Sequence, residues 1–157
     1  MFTVIMLEEE PLFSRIGLRK LSSPDCAAFW DRYAALRPDL HLLRGNNYLR
    51  WRPVAGTDIF IALYLTNRSV GLFVRGERGL SLKGAARRLG LYEPRLGRAL
   101  GVAPASGPYP YLDRLALPTT DIAAWTRGQQ WLLEREAFYH ANLACIVGGI
   151  DALSNPP

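Results

Sequence analysis

Hydrophobic and polar positions follow two different periods along this chain, and the switches between them mark its elements. Apolar and β-branched residues at 2–7 predict a short strand, and LFSRIGLRKL (12–21) predicts another with Gly17 at a bend. From Ser23 the period becomes helical: Ser23 is placed as the N-cap with Pro24 in the first turn, and Ala27, Trp30 and Ala34 recur on one stripe beside Phe29 and Tyr33. This helix is expected to end before Pro38.

A loop at 45–47 (GNN) leads into three strand signals. YLRWRP (48–53) sets Leu49 and Trp51 against Arg50 and Arg52, DIFIALYL (58–65) is almost continuously apolar, and SVGLFVRG (69–76) follows the turn-like TNR. Such short connections require antiparallel pairing, which makes a three-strand meander the economical arrangement. Residues 80–101 return to helical period, with Leu82, Ala85, Ala86 and Leu89 on one face and Lys83, Arg87 and Arg88 on the other. Gly90 ends that helix, and Pro94 opens a second one carrying Leu96, Ala99 and Leu100. APASGPYPY (103–111) reads as a loop and YLDRLALP (111–118) as an edge strand bounded by prolines. A long final helix is expected from a cap at Thr119, Thr120 or Asp121 to about Gly148 and Gly149, with Ile122, Trp125, Leu132 and Phe138 buried and Trp131 also packing. The order predicts an α+β fold: an antiparallel sheet of three to five strands against three to four helices, in one globular domain over residues 1–157.

Composition narrows this picture. At 49% hydrophobic and 11% aromatic residues, the chain has enough apolar surface to fold without a disulfide or a metal. Cys26 and Cys145 form no C-x-x-C pair and are read as free, buried thiols of a reducing compartment. The opening MFTVIMLEEEP has too short an apolar run and no basic region for a secretion signal, and no other stretch approaches a membrane span, so a soluble cytoplasmic protein is expected.

The net charge of +5 is local. Arg75, Arg78, Lys83, Arg87, Arg88, Arg95 and Arg98 face only Glu77 and Glu93 in the same stretch, while the basic and acidic residues elsewhere are equal in number. Such a cluster suits phosphate, and its arginine bias suits bidentate contacts. It equally describes a solvated helix face.

FWDRYAALRP, the stretch NNYLRWRPVAGTDIFIALYLTNRSVGLFVRG and the tail DIAAWTRGQQWLLEREAFY together resemble the bacterial domain-of-unknown-function family 4268, across residues 24–143. The likeness is one of aromatic and apolar positions. It implies an α+β domain that occurs alone or behind nuclease-like domains of the restriction type, and it carries no catalytic residues to transfer.

The helical pair also has helix-turn-helix spacing. Ala86 takes the small position, Gly90 the turn, and Leu82, Leu89, Leu91 and Leu96 the contacts between helices, which would turn Tyr92, Arg95 and Arg98 toward DNA. Gly97 weakens the second helix, Pro94 shortens it, and strands stand where the motif needs another helix. A restriction-type nuclease would need acidic metal ligands with a nearby lysine; Asp58 and Glu77 bracket a hairpin, but no lysine follows Glu77 at the required offset. His41, His140 and the two cysteines lack metal-ligand spacing, and the two histidines are read as ordinary surface or satisfied groups. Neither a nucleophile motif nor a phosphate-cradling glycine motif occurs, and GERGLSLKG lacks the spacing for one. EEE (8–10) is read as solvated or as a cover for the basic patch.

No catalytic residue, metal or cofactor is therefore assigned. The first reading is a non-catalytic nucleic-acid-associated module that holds phosphates through Arg78, Lys83, Arg87, Arg88, Arg95 and Arg98. The alternatives are a structural or interaction domain with an acidic protein partner, and a small enzyme of unrecognised type.

Overall fold

A computed structural model describes residues 21–106 and 108–154. The two N-terminal strand expectations and the EEE run lie outside the described residues. Helix α1 (Ser23–Leu36) is followed by strands β1 (Leu43–Asn46), β2 (Leu49–Pro53), β3 (Phe60–Leu65) and β4 (Ser69–Arg75). Then come α2 (Leu82–Leu89), a 3₁₀ turn (Gly90–Tyr92), α3 (Arg95–Leu100), and the short strands β5 (Ala105–Ser106) and β6 (Tyr109–Pro110). Strand β7 (Asp113–Ala116) precedes the long α4 (Trp125–Leu143), a π turn (Ala144–Gly148) and α5 (Gly149–Ser154). The class is α+β, with a five-stranded antiparallel sheet in the order β1-β2-β3-β4-β7 and a separate β5-β6 pair.

The meander β2-β3-β4 has the expected register, with Trp51 opposite Ala62 and Ala62 opposite Phe73. One boundary differs: Gly45 and Asn46, expected in a loop, belong to β1, which turns tightly into β2. The hydrogen bond from the Tyr48 N–H to Asn46 Oδ1, at 2.7 Å, closes that turn.

The sheet is buried on both faces. Ile61, Leu63 and Leu65 of β3 and Val70, Leu72 and Val74 of β4 meet the helical layer, where Phe29 and Trp30 of α1 and Trp125, Leu132 and Tyr139 of α4 pack. Phe29 and Trp125 join edge to face at 5.4 Å, and Gln129 Nε2 donates to the Phe29 carbonyl at 3.0 Å. The opposite face carries Leu49, Trp51, Ala62, Tyr64 and Phe73, covered by Tyr109 of β6 and Leu82 of α2. The Tyr64 ring lies across Gly71, in the space a Cβ there would take.

Helix registers differ in detail from the expected stripes. The cap of α1 is Ser22, in a reciprocal capping box with Asp25, because Ser23 is already the first helical residue. Its buried stripe is Cys26, Phe29, Trp30 and Tyr33, while Ala27 and Ala34 face outward. Asp121 caps a 3₁₀ turn (Ile122–Ala124) that leads into α4. Ile122 and Phe138 are exposed, since the inward stripe runs Trp125, Gln129, Leu132, Glu136, Tyr139 and Leu143. The helix does not stop at Gly148 and Gly149; the chain passes through the π turn into α5. Cys26 is buried but Cys145 is exposed, and both are free. No helix among the described residues is long and apolar enough to cross a membrane.

The inward stripe of α4 contains a fully buried carboxylate, Glu136, ion-paired to Arg52 of β2. Strand alternation points Arg52 toward the helices because Leu49 and Trp51 occupy the other face. Removing one partner of a buried pair strands the other charge. Glu136→Ala is therefore expected to lower unfolding stability by about 3–5 kcal/mol, and Arg52→Met combined with Glu136→Leu to recover most of that loss, as read by urea denaturation. A loss in the double variant as large as in the single one would contradict the pairing.

Candidate anion-binding site

The basic segment divides into three groups. Strand β4 ends at Arg75, a loop with Gly79 in a left-handed conformation (φ 93°) carries Arg78, and Ser81 then caps α2 by accepting from the Gly84 N–H at 2.9 Å. Helix α2 packs on β4 and β6, whereas α3 packs on α4. The helical pair thus bridges the two layers of the fold instead of forming a free-standing DNA reader. Tyr92, expected to face DNA, is buried, and Leu91, expected between the helices, is 75% exposed. Both reversals follow from the 3₁₀ turn at Gly90–Tyr92, which rotates the chain between α2 and α3.

Arg88 belongs to the architecture. Its Nη2 lies 2.9 Å from both Asp58 Oδ1 and Asp151 Oδ2, it donates to the Tyr92 hydroxyl, and Tyr92 donates to Asp151 Oδ1 at 2.6 Å. Burial opposes the Arg88 charge, but the bonds to Tyr92, Asp58 and Asp151 outweigh it and hold the guanidinium above its ordinary pKa. Asp58 is therefore an ion-pair partner here, and no His/Cys/Asp/Glu group suited to a metal occurs among the described residues.

Lys83 and Arg87 on α2 and Arg95 and Arg98 on α3 are exposed, and none of the four is ion-paired among the described residues. They form the outward cationic part of the helical pair.

Arg75 and Arg78 form the third group, on the thinly covered face of the sheet. Arg75 is only 9% exposed, and its guanidinium lies 3.9 Å from the centroid of the Trp51 ring. Arg78 is exposed, stands 5.0 Å from the same ring, and donates from Nη2 to the Arg44 carbonyl at 2.9 Å. The two arginines, Trp51, Leu49, Gly45, Asn46 and Gly79 line a cavity of about 270 Å³. Asn46 Oδ1, its one side-chain acceptor, already takes the Tyr48 N–H.

Sequence reasoning placed Arg75 in the basic cluster but did not single it out, and it missed Trp51 as its partner. Buried Arg75 Nε and Trp51 Nε1 have no hydrogen-bond acceptor among the described residues. Burial first, and Arg78 second, push the Arg75 pKa down to about 10, so it keeps its charge at neutral pH. The other sheltered arginines are compensated: Arg52 by Glu136, Arg88 by Asp58 and Asp151, Arg135 by Asp113, and Arg50 by the carbonyls of Asn46 and Leu49. Arg75 has an indole instead. A desolvated cation–π contact returns about 2 kcal/mol, whereas burying a guanidinium costs several.

No family model matches the chain, and comparison with curated proteins and with solved structures finds no match either.

The division of roles is testable by stability. Arg88→Ala is expected to cost about 1–3 kcal/mol, because it removes the guanidinium that joins Asp58 to Asp151 and Tyr92, while Arg87→Ala on the outward face should stay within about 0.5 kcal/mol of the parent. Equal effects in thermal unfolding would contradict the division.

Proposed function

We propose that the protein is a non-catalytic nucleic-acid-associated module that contacts the phosphate backbone through the outward face of α2 and α3. The observation that carries this reading is the set of four exposed cations, Lys83, Arg87, Arg95 and Arg98, without an ion-paired carboxylate among the described residues. Arg88 leaves the proposed contact set because its charge is spent on Asp58 and Asp151. The short α3, with Leu96 and Leu100 turned inward, favours backbone contact over base reading. The resemblance to family 4268, with its nuclease-like neighbours, is in keeping with this reading.

The exposed Leu91 between these cations favours a second reading, an acidic protein partner with an apolar contact. Salt titration separates the two. With about four phosphates neutralised, affinity for duplex DNA should fall roughly fiftyfold between about 50 and 150 mM salt. Arg87→Glu with Arg98→Glu should abolish binding and leave the melting temperature unchanged. No binding at about 50 mM salt, or binding indifferent to both substitutions, would overturn the nucleic-acid reading.

A further inference from the structure

The Trp51 cavity stands apart from the outward face of the helical pair, and its chemistry is more specific. Two guanidinium groups line it, one of them nine-tenths buried. Two buried N–H donors, Arg75 Nε and Trp51 Nε1, lack acceptors. Among the described residues no carboxylate lines it, and the one side-chain acceptor, Asn46 Oδ1, already takes the Tyr48 N–H. Gly45 lets the β1 backbone pass close beside the indole, since a Cβ there would come within 2.7 Å of Trp51 Nε1 and 2.9 Å of Leu49 Cβ. A cavity that offers donors and positive charge, and almost no free acceptor, complements a compact oxyanion.

We propose that this cavity is a binding site for a phosphate monoester, held between the Arg75 and Arg78 guanidinium groups over the Trp51 ring. Two cations match a dianion, and arginine forks match phosphate oxygens. An acetate-sized carboxylate would satisfy one guanidinium and leave the second unmatched. Internal diesters carry a single charge and a second substituent, which makes a dianionic terminal phosphate the better match for two guanidinium groups lining a cavity of about 270 Å³. Arg75 sits at the end of β4, fixed opposite Phe60 in the ladder, and Arg78 is held beside the same ring by the bond of its Nη2 to the Arg44 carbonyl, so both guanidinium groups are pre-positioned. The site is independent of the outward face of α2 and α3: it uses none of Lys83, Arg87, Arg95 or Arg98.

Thermal unfolding and calorimetric titration of the full chain test this, at constant ionic strength, with inorganic phosphate, a nucleoside 5′-monophosphate and acetate as probes. At about 100 times its dissociation constant a phosphate probe should raise the melting temperature by roughly 5–10 °C, with acetate giving no comparable shift. Affinity for the monophosphate should drop as pH falls through about 6, where the monoester dianion takes up a proton and becomes a monoanion. Arg78→Ala, on an exposed loop, should weaken binding about tenfold or more without lowering the melting temperature of the free protein. Arg75→Met should abolish binding and leave the free protein as stable as before or more so, since it removes a buried charge that has no counter-ion.

A 5′-phosphorylated oligonucleotide that binds more tightly than its 5′-hydroxyl twin, with the difference lost in Arg78→Ala, would make a nucleic-acid end the source of the phosphate. Equal binding of the twins, beside saturable binding of the mononucleotide, would make a small molecule the source. A response to phosphate no greater than to acetate, or one that persists in both arginine variants, would overturn the proposal. Because Arg87→Glu with Arg98→Glu leaves the cavity intact, phosphate binding in that variant distinguishes failure of the backbone reading from failure of this one.

Discussion

The structure depends on the burial of both faces of the β3-β4 hairpin. All of β4 and nearly all of β3 are inaccessible to water, so the chain must supply a cover on each side. On one side α1 and α4 give a thick aromatic and aliphatic layer. On the other, among the described residues, the short α2 brings Leu82 and β6 brings Tyr109. The remaining cover comes from the sheet's own aromatics, with Tyr64 folded flat over Gly71 and Phe73 against Tyr109 at 4.9 Å. At the β1-β2 end this cover thins out, and the Trp51 cavity opens there.

Several polar groups inside the thick layer are matched across elements, although the buried Tyr33 hydroxyl is not. Glu136 meets Arg52, Gln129 reaches the Phe29 carbonyl, Trp125 Nε1 donates to the Thr119 carbonyl at 2.6 Å, and the Tyr139 hydroxyl donates to the Tyr111 carbonyl at 2.9 Å. Each match ties two elements together, which gives the helices a defined position on the sheet. Arg75 breaks this pattern on the thin side. A buried charge without a partner is costly, and folds keep such groups where a ligand completes them. The same physics that makes Arg88 a structural residue, two carboxylates within 3 Å, makes Arg75 a candidate ligand-binding one.

The meander was legible in the sequence because TNR between two apolar runs forces a hairpin, and the regular stagger of Leu49, Trp51, Arg50 and Arg52 assigns sides of the strand. The sequence did not show what the arginines of β2 would meet. Alternation alone suggests solvent, whereas the buried stripe of α4 carries Glu136 at a position a hydropathy pattern reads as polar and outward. The charge cluster from Arg75 to Arg98 was visible as a sum and misleading as a surface. Its members separate by contacts from distant parts of the chain: Asp58 and Asp151 for Arg88, Trp51 for Arg75 and Arg78. Such long-range pairings leave no local signal, and for that reason the cavity has no sequence motif.

The Arg75 guanidinium is buried and charged, and its Nε–H meets no acceptor among the described residues. Nitrogen-detected magnetic resonance of the arginine Nε–H groups tests it most directly. The Arg75 signal should exchange slowly, stay protonated through neutral pH and move downfield on saturation with a phosphate monoester, while the Arg88 signal stays in place. A fast-exchanging Arg75 signal, or one that responds no more than Arg88, would contradict it.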